Sequence, residues 1–167
     1  MSTRRTHGFE LPVDADRWLS VYLDDAYTRA LHVEGLSFER FELLESRSEG
    51  DLVVHRRVQA TPPMDAPRVV QKALGGAQQY EERGNLDLPS RTWRYTVIPA
   101  AMADKITITG LHRVVALGPD RCRAEFEAEF AVSIFGVGRA IERFMAGQFD
   151  DNIRRQETFA RQYLTRG

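Results

Sequence analysis

From Arg121 to Val132 one face of the chain reads Cys122, Ala124, Phe126, Ala128, Phe130 and Val132, while Arg121, Arg123, Glu125, Glu127 and Glu129 occupy the other. A period of two held this long predicts an extended strand with one face in the core. Directly afterwards the period changes. Val137, Ile141, Phe144, Met145, Phe149, Ile153, Phe159, Ala160 and Tyr163 recur at helical spacing, which predicts one amphipathic helix from Val137 to Leu164. The strand must bury its apolar face and so must the helix. A sheet wrapped around a long terminal helix satisfies both.

The remaining elements fit that arrangement. Phe9, Leu11 and Val13 alternate with polar residues and predict a short first strand, with Asp14 placed to cap a helix starting at Ala15. Trp18, Leu19, Tyr22, Leu23, Ala26, Tyr27, Ala30 and Leu31 keep helical spacing to about Val33, with a break at Asp24 and Asp25 and a stop at Gly35. Leu36 to Ser46 and Leu52 to Ala60 read as a hairpin. After the loop from Thr61 to Pro67, Asp65 is placed to cap a short helix from about Ala66 to Leu74, ended by Gly75 and Gly76. Further strands are predicted at Gln78 to Arg83, Ser90 to Ile98 and Lys105 to Leu117, with Gly118-Pro119-Asp120 turning into the strand at Arg121. With short links between strands, the expectation is α+β: a curved antiparallel sheet of about seven strands.

Composition narrows the function. A chain of 167 residues with 43% hydrophobic content suits one domain, which buries roughly 70% of its unfolded surface. Lys plus Arg (23) nearly balance Asp plus Glu (24), so the net charge of -1 gives no field that would draw nucleic acid or an anionic membrane. Cys122 is the only cysteine and lies on an apolar face, which excludes an internal disulfide and suits a reducing compartment. No stretch approaches the ~20 apolar residues of a membrane span, and no targeting segment is evident at Met1 to Gly8. The expected location is cytoplasmic.

The order of elements, the opening Phe9-x-Leu11-Pro12-x-Asp14-x-Asp16-x-Trp18 and the Gly136-Val137-Gly138 before the closing helix resemble the START-like superfamily, which includes the birch pollen allergen, lipid-transfer START domains and aromatic polyketide cyclases. The segment Pro67 to Gly76 and the closing helix look like a bacterial branch of that superfamily, known as a domain of unknown function. The resemblance spans about Gly8 to Leu164. It implies a helix-grip fold with a cavity between sheet and C-terminal helix, commonly for lipids, sterols or other hydrophobic ligands, and it implies no single reaction and no cofactor.

Pairing Ala116 with Cys122 across the turn puts Ile108, Gly110, His112 and Val114 on the same face as Ala124, Phe126, Ala128 and Phe130. Trp93, Tyr95 and Val97 join them from the neighbouring strand, and Phe144, Met145, Phe149, Asn152 and Ile153 from the helix, with Gln156 continuing its stripe. Small residues at Gly110, Ala124 and Ala128 leave side-chain volume missing, as a cavity requires. The alternative is an ordinary core filled by the aromatic residues. Arg56 falls on the inward face of its strand and must lie at the mouth, snorkel over the rim, or pair with a carboxylate or an acidic ligand head group.

Other signals point elsewhere. Gly136-Val137-Gly138 has Ile141 where a dinucleotide fingerprint needs its third glycine. Glu125, Glu127 and Glu129 share their face with arginines and read as cross-strand ion pairs. His7, His32, His55 and His112 lack the spacing of a metal site, and no metal is expected. The apolar loop 97–103, with Val69, Val70, Ala73 and Leu74, could form a lip at the mouth and touch a membrane transiently. Three functions follow as expectations. The first is a carrier or sensor of a hydrophobic small molecule. The second is a cyclase or dehydratase with His112 as base and Tyr95 or Arg56 polarising a carbonyl. The third is a protein-interaction module with a filled core.

Overall fold

The computed structural model describes residues 2–63, 65–75 and 78–166. Its strands are β1 (Thr3–Leu11), β2 (Arg40–Glu49), β3 (Val53–Thr61), β4 (Tyr80–Asp87), β5 (Thr92–Pro99), β6 (Ile106–Gly118) and β7 (Arg121–Val132). The helices are α1 (Ala15–Leu23), α2 (Asp25–Ala30), α3 (Arg68–Ala73) and α4 (Gly138–Thr165), with a π-helical turn over Leu31–Gly35. All seven strands form one antiparallel sheet in the order β1-β7-β6-β5-β4-β3-β2. The expected register holds: Ala116 pairs with Cys122, His112 with Phe126 and Ile108 with Phe130. No helix is long and apolar enough to cross a membrane among the described residues.

Local chemistry explains most boundaries. Asp14 accepts a hydrogen bond from the Arg17 N–H at 2.8 Å and starts α1, and Asp24 accepts from Ala26 N–H at 3.0 Å and starts α2. Gly136 takes a left-handed φ of 81°, and a Cβ on Gly138 would sit 2.8 Å from the Val132 carbonyl oxygen. The two glycines therefore let the chain reverse and press the start of α4 onto the end of β7.

Two expectations are corrected. The first strand begins at Thr3, well before Phe9, and pairs with β7 along its whole length. Its early residues carry no apolar alternation because they face polar groups on α4: Thr3 Oγ1 donates to Glu142 at 2.9 Å, Arg5 Nε donates to Asp150 at 3.2 Å, and His7 Nε2 meets the same carboxylate at 2.5 Å. The short helix starts at Arg68 after Pro67 with no side-chain cap, so Asp65 does not cap it; the proposed stop at Gly76 and the loop residue Met64 lie outside the described residues. The link from β3 to β4 carries α3, the short helix expected there.

The position of α4 decides what space remains. It packs on β1 and β7, on the π-helical turn and on α3. Among the described residues, no Cα of α4 lies within 8 Å of one in β2, β3, β4, β5 or β6. The curved sheet bends away from the helix there, and side chains alone must bridge the gap.

Candidate functional site

That gap is a cavity of about 310 Å³. Phe126, Ala128 and Phe130 of β7, Ile108 and His112 of β6, and Trp93 and Tyr95 of β5 form its sheet wall. Phe144, Met145, Phe149, Asn152 and Ile153 of α4 form the opposite wall, and Arg56 closes it from β3. Two expected residues are elsewhere. Val114 and Ala124 are buried in the core beneath α1, packed with Ala15, Trp18 and Leu19, because α1 covers that end of the sheet. The apolar loop also divides. Val97 and Pro99 reach the cavity, whereas Met102 packs with Val70, Leu74, Ile106 and Ile141 under the start of α4.

Glycines shape the cavity in a way that side-chain volume alone did not suggest. A Cβ on Gly110 would sit 2.3 Å from the Tyr95 ring, and one on Gly84 would sit 2.4 Å from the Trp93 ring. Each glycine lets the cross-strand aromatic ring lie down on the sheet. The rings then occupy the floor and leave the centre open.

Sequence reasoning missed a polar wall contributed by Tyr22, Tyr27, His32, Tyr80 and Glu82. Glu82 pairs with Val58 and Val97 across its neighbouring strands, so it shares their inward face. That register was the available signal. Reading β4 as Gln78 to Arg83 rather than Tyr80–Asp87 placed it near a strand end and left its face unassigned. Burial raises the Glu82 carboxyl to about 7; the Trp93 indole N–H, close by without reaching hydrogen-bond geometry, and the Arg56 cation only partly oppose this. Burial likewise drives the hydroxyls of Tyr22, Tyr27, Tyr80 and Tyr95 far above their ordinary range, so all four stay neutral.

His112 is 2% exposed and stacks on Phe126 with ring centroids 4.2 Å apart. Its Nδ1–H donates to the Glu125 carbonyl at 3.1 Å, which fixes the tautomer and leaves the Nε2 lone pair buried with no partner. Burial pulls its pKa down to about 4, against the smaller opposing effect of that hydrogen bond. His32 is held in the same way, donating from Nδ1 to the Thr28 carbonyl at 2.8 Å and stacking on Phe41 at 4.2 Å, and burial lowers it also to about 4. Both imidazoles are neutral at pH 7. Arg56, 7% exposed, donates from Nη2 to Asp25 at 3.1 Å. Of the ways open to it, pairing with a protein carboxylate is the one observed.

A wider groove of about 850 Å³ crosses the outer face of the sheet past Arg4, Arg57, Arg83 and Glu129. Several of its charges are paired: Arg57 and Arg83 both reach Glu81 at 2.8 Å, and Arg4 reaches Glu129 at 3.3 Å. Residues lining the inner cavity, by contrast, carry buried polar atoms that have no partner among the described residues.

A curved antiparallel sheet gripping one long C-terminal helix, with the cavity between them, is the helix-grip fold of START-like proteins. The chain belongs to the family described as protein of unknown function (DUF2505), whose profile matches residues 6–164. Among solved structures it is similar to the ZhuI aromatase/cyclase from Streptomyces sp. R1128, at 15% identity and a TM-score of 0.69, covering 99% of this chain and 95% of that one. It is also similar to norcoclaurine synthase from Thalictrum flavum in complex with dopamine and hydroxybenzaldehyde, at 19% identity and a TM-score of 0.59 over 92% of this chain and 84% of that one. A START superfamily protein from Mycobacterium smegmatis matches at 11% identity and a TM-score of 0.56 over 98% of this chain and 97% of that one. At these identities the likeness is one of fold. No curated protein matches the sequence significantly.

Proposed function

We propose that the protein binds a compact, mostly apolar small molecule in the cavity between sheet and α4, as a carrier or sensor. The observation that carries this reading is the open space of about 310 Å³ with aromatic and aliphatic walls, into which a few buried polar groups converge. The Tyr27 hydroxyl, Gln78 Nε2 and His112 Nε2, buried atoms of residues that line the cavity, have no hydrogen-bond partner among the described residues. Unsatisfied buried polar atoms cost about 1–3 kcal/mol each, and a ligand or ordered water that bonds them recovers that cost. The volume is at the low end of the range for small-molecule sites, which favours a one- or two-ring compound or a short acyl chain over a long lipid. Each methylene it buries contributes about 0.8 kcal/mol.

Catalysis by His112 is the second reading, supported by its free Nε2 lone pair at the cavity wall. A base with a pKa near 4 holds a proton weakly at neutral pH, so this imidazole is better suited to accept a hydrogen bond than to abstract a proton. Binding therefore takes precedence over turnover.

Titration with 1-naphthylmethanol, followed by tryptophan fluorescence and calorimetry, tests the proposal. Saturable one-to-one binding is the expected result. Failure of a panel of one- and two-ring compounds to bind, together with no small molecule in an organic extract of the purified protein, would overturn it.

A further inference from the structure

Accepting that the cavity takes a ligand, its polar wall specifies what kind. Arg56 stands on β3 opposite Gly84, and Glu82 lies two residues from Gly84 on the same inward face, so the two side chains are diagonal neighbours. They do not pair, although both line the cavity, because no nitrogen of Arg56 is within 4.0 Å of the Glu82 carboxylate among the described residues. Arg56 instead gives one nitrogen to Asp25, whose side chain is 68% exposed at the start of α2. Its Nε and Nη1 donors have no protein partner among the described residues. A nearly buried guanidinium with spare donors, beside a carboxyl that it does not touch, is an incomplete constellation.

We infer that the cavity is a receptor for an organic carboxylate, which Arg56 grips with its spare donors while Glu82 donates a hydrogen bond to the same head group. The other groups around Glu82 supply no competing charge. Tyr22 from α1, Tyr95 from β5 and Tyr80 from its own strand are neutral hydroxyls, and His32 and His112 are neutral imidazoles at pH 7. Across the cavity α4 contributes Asn152 and Gln156, which carry no charge. A cationic ligand would meet Arg56, a fixed positive charge in a poorly solvated site. A carboxylate meets its natural partner instead.

The assignment has a proton consequence. At neutral pH Glu82 is divided between acid and anion, and a second negative charge beside it favours the acid. Binding therefore completes the protonation of the Glu82 carboxyl, taking about half a proton from solvent at pH 7, and breaks no covalent bond. Affinity is highest where Glu82 is already protonated and falls as pH rises through 7.

Calorimetric titrations with 1-naphthoate and with 1-naphthylmethanol at pH 6, 7 and 8, in buffers of different ionisation enthalpy, separate the possibilities. The carboxylate should bind more tightly than the alcohol at pH 6 and weaken about tenfold by pH 8, with little proton uptake at pH 6 and an uptake approaching one proton at pH 8, while the alcohol shows little pH dependence. In Glu82→Gln the pH dependence for 1-naphthoate should vanish. In Arg56→Met 1-naphthoate should lose at least thirtyfold in affinity, and far more than the alcohol loses, with an unchanged circular-dichroism spectrum and cooperative unfolding as proof of an intact fold; Asp25, already solvated, is not stranded by that change. If only the alcohol binds, or if 1-naphthoate binds with no pH dependence or survives Arg56→Met unchanged, the carboxylate assignment falls and the binding reading stands. If neither compound binds, both fall.

Discussion

At the scale of single residues, the interior is set by groups kept neutral through burial. His112 titrates near 4 in the folded protein and near 6.5 when the chain unfolds, so between those values the unfolded chain holds the extra proton. Stability must then fall on acidification. Between pH 7 and pH 5 the loss from this one residue is about 2 kcal/mol. Urea unfolding at the two pH values checks it: in His112→Gln the acid-induced loss should shrink by about that amount, while the stability at pH 7 changes less. His112 was placed inward from the alternation of β6 and the turn at Gly118, because strand parity is a local property. Glu82 was not, because its face depends on which residues of β3 and β5 it meets.

At the scale of elements, α4 is located by polar contacts as much as by its apolar stripe. Glu142 in its second turn is 6% exposed, accepts from Thr3 Oγ1 at 2.9 Å with one oxygen and from the Val132 N–H at 3.1 Å with the other. It ties the helix to β1 and β7 at once. Glu142→Ala strands the Val132 N–H, and bonds to a charged acceptor are worth about 1.5–3 kcal/mol each, so a loss of about 2–3 kcal/mol is expected in chemical denaturation. Asp150 pairs in the same manner with Arg5 and His7. These contacts explain why β1 reads poorly from sequence: its inward positions are polar to suit a partner helix more than 130 residues away in the chain. The elements β7 and α4, whose own apolar positions keep one period throughout, are legible almost to the residue.

At the scale of the whole molecule, the cavity exists because α4 leans on one edge of a bent sheet and leaves the other side open. Filling it should separate binding from folding. Ala128 lies on the cavity floor at 3% exposure, packed with Phe130 and Ala146, so the three carbons added by Ala128→Leu must enter the cavity or press on those neighbours. We expect 1-naphthylmethanol affinity to fall at least tenfold in calorimetry, with a stability loss of no more than about 1 kcal/mol because the cavity takes up part of the added volume. A filled core, the alternative raised by the aromatic stripes, would instead make this substitution strongly destabilising.

By itself the sequence determined the class of fold, the faces of β5, β6 and β7, the cap at Asp14, the break at Asp24 and Asp25, and the identity of the long terminal helix. All of these depend on period, parity and short-range hydrogen bonding, which neighbouring residues carry. Only the tertiary structure decided that Val114 and Ala124 lie under α1, that Gly84 and Gly110 make room for rings and not directly for a ligand, and that Arg56 and Glu82 share one wall without touching. Those outcomes turn on where remote segments come to rest against each other, and the curvature of the sheet and the lean of α4 that bring them together are properties of the assembled molecule.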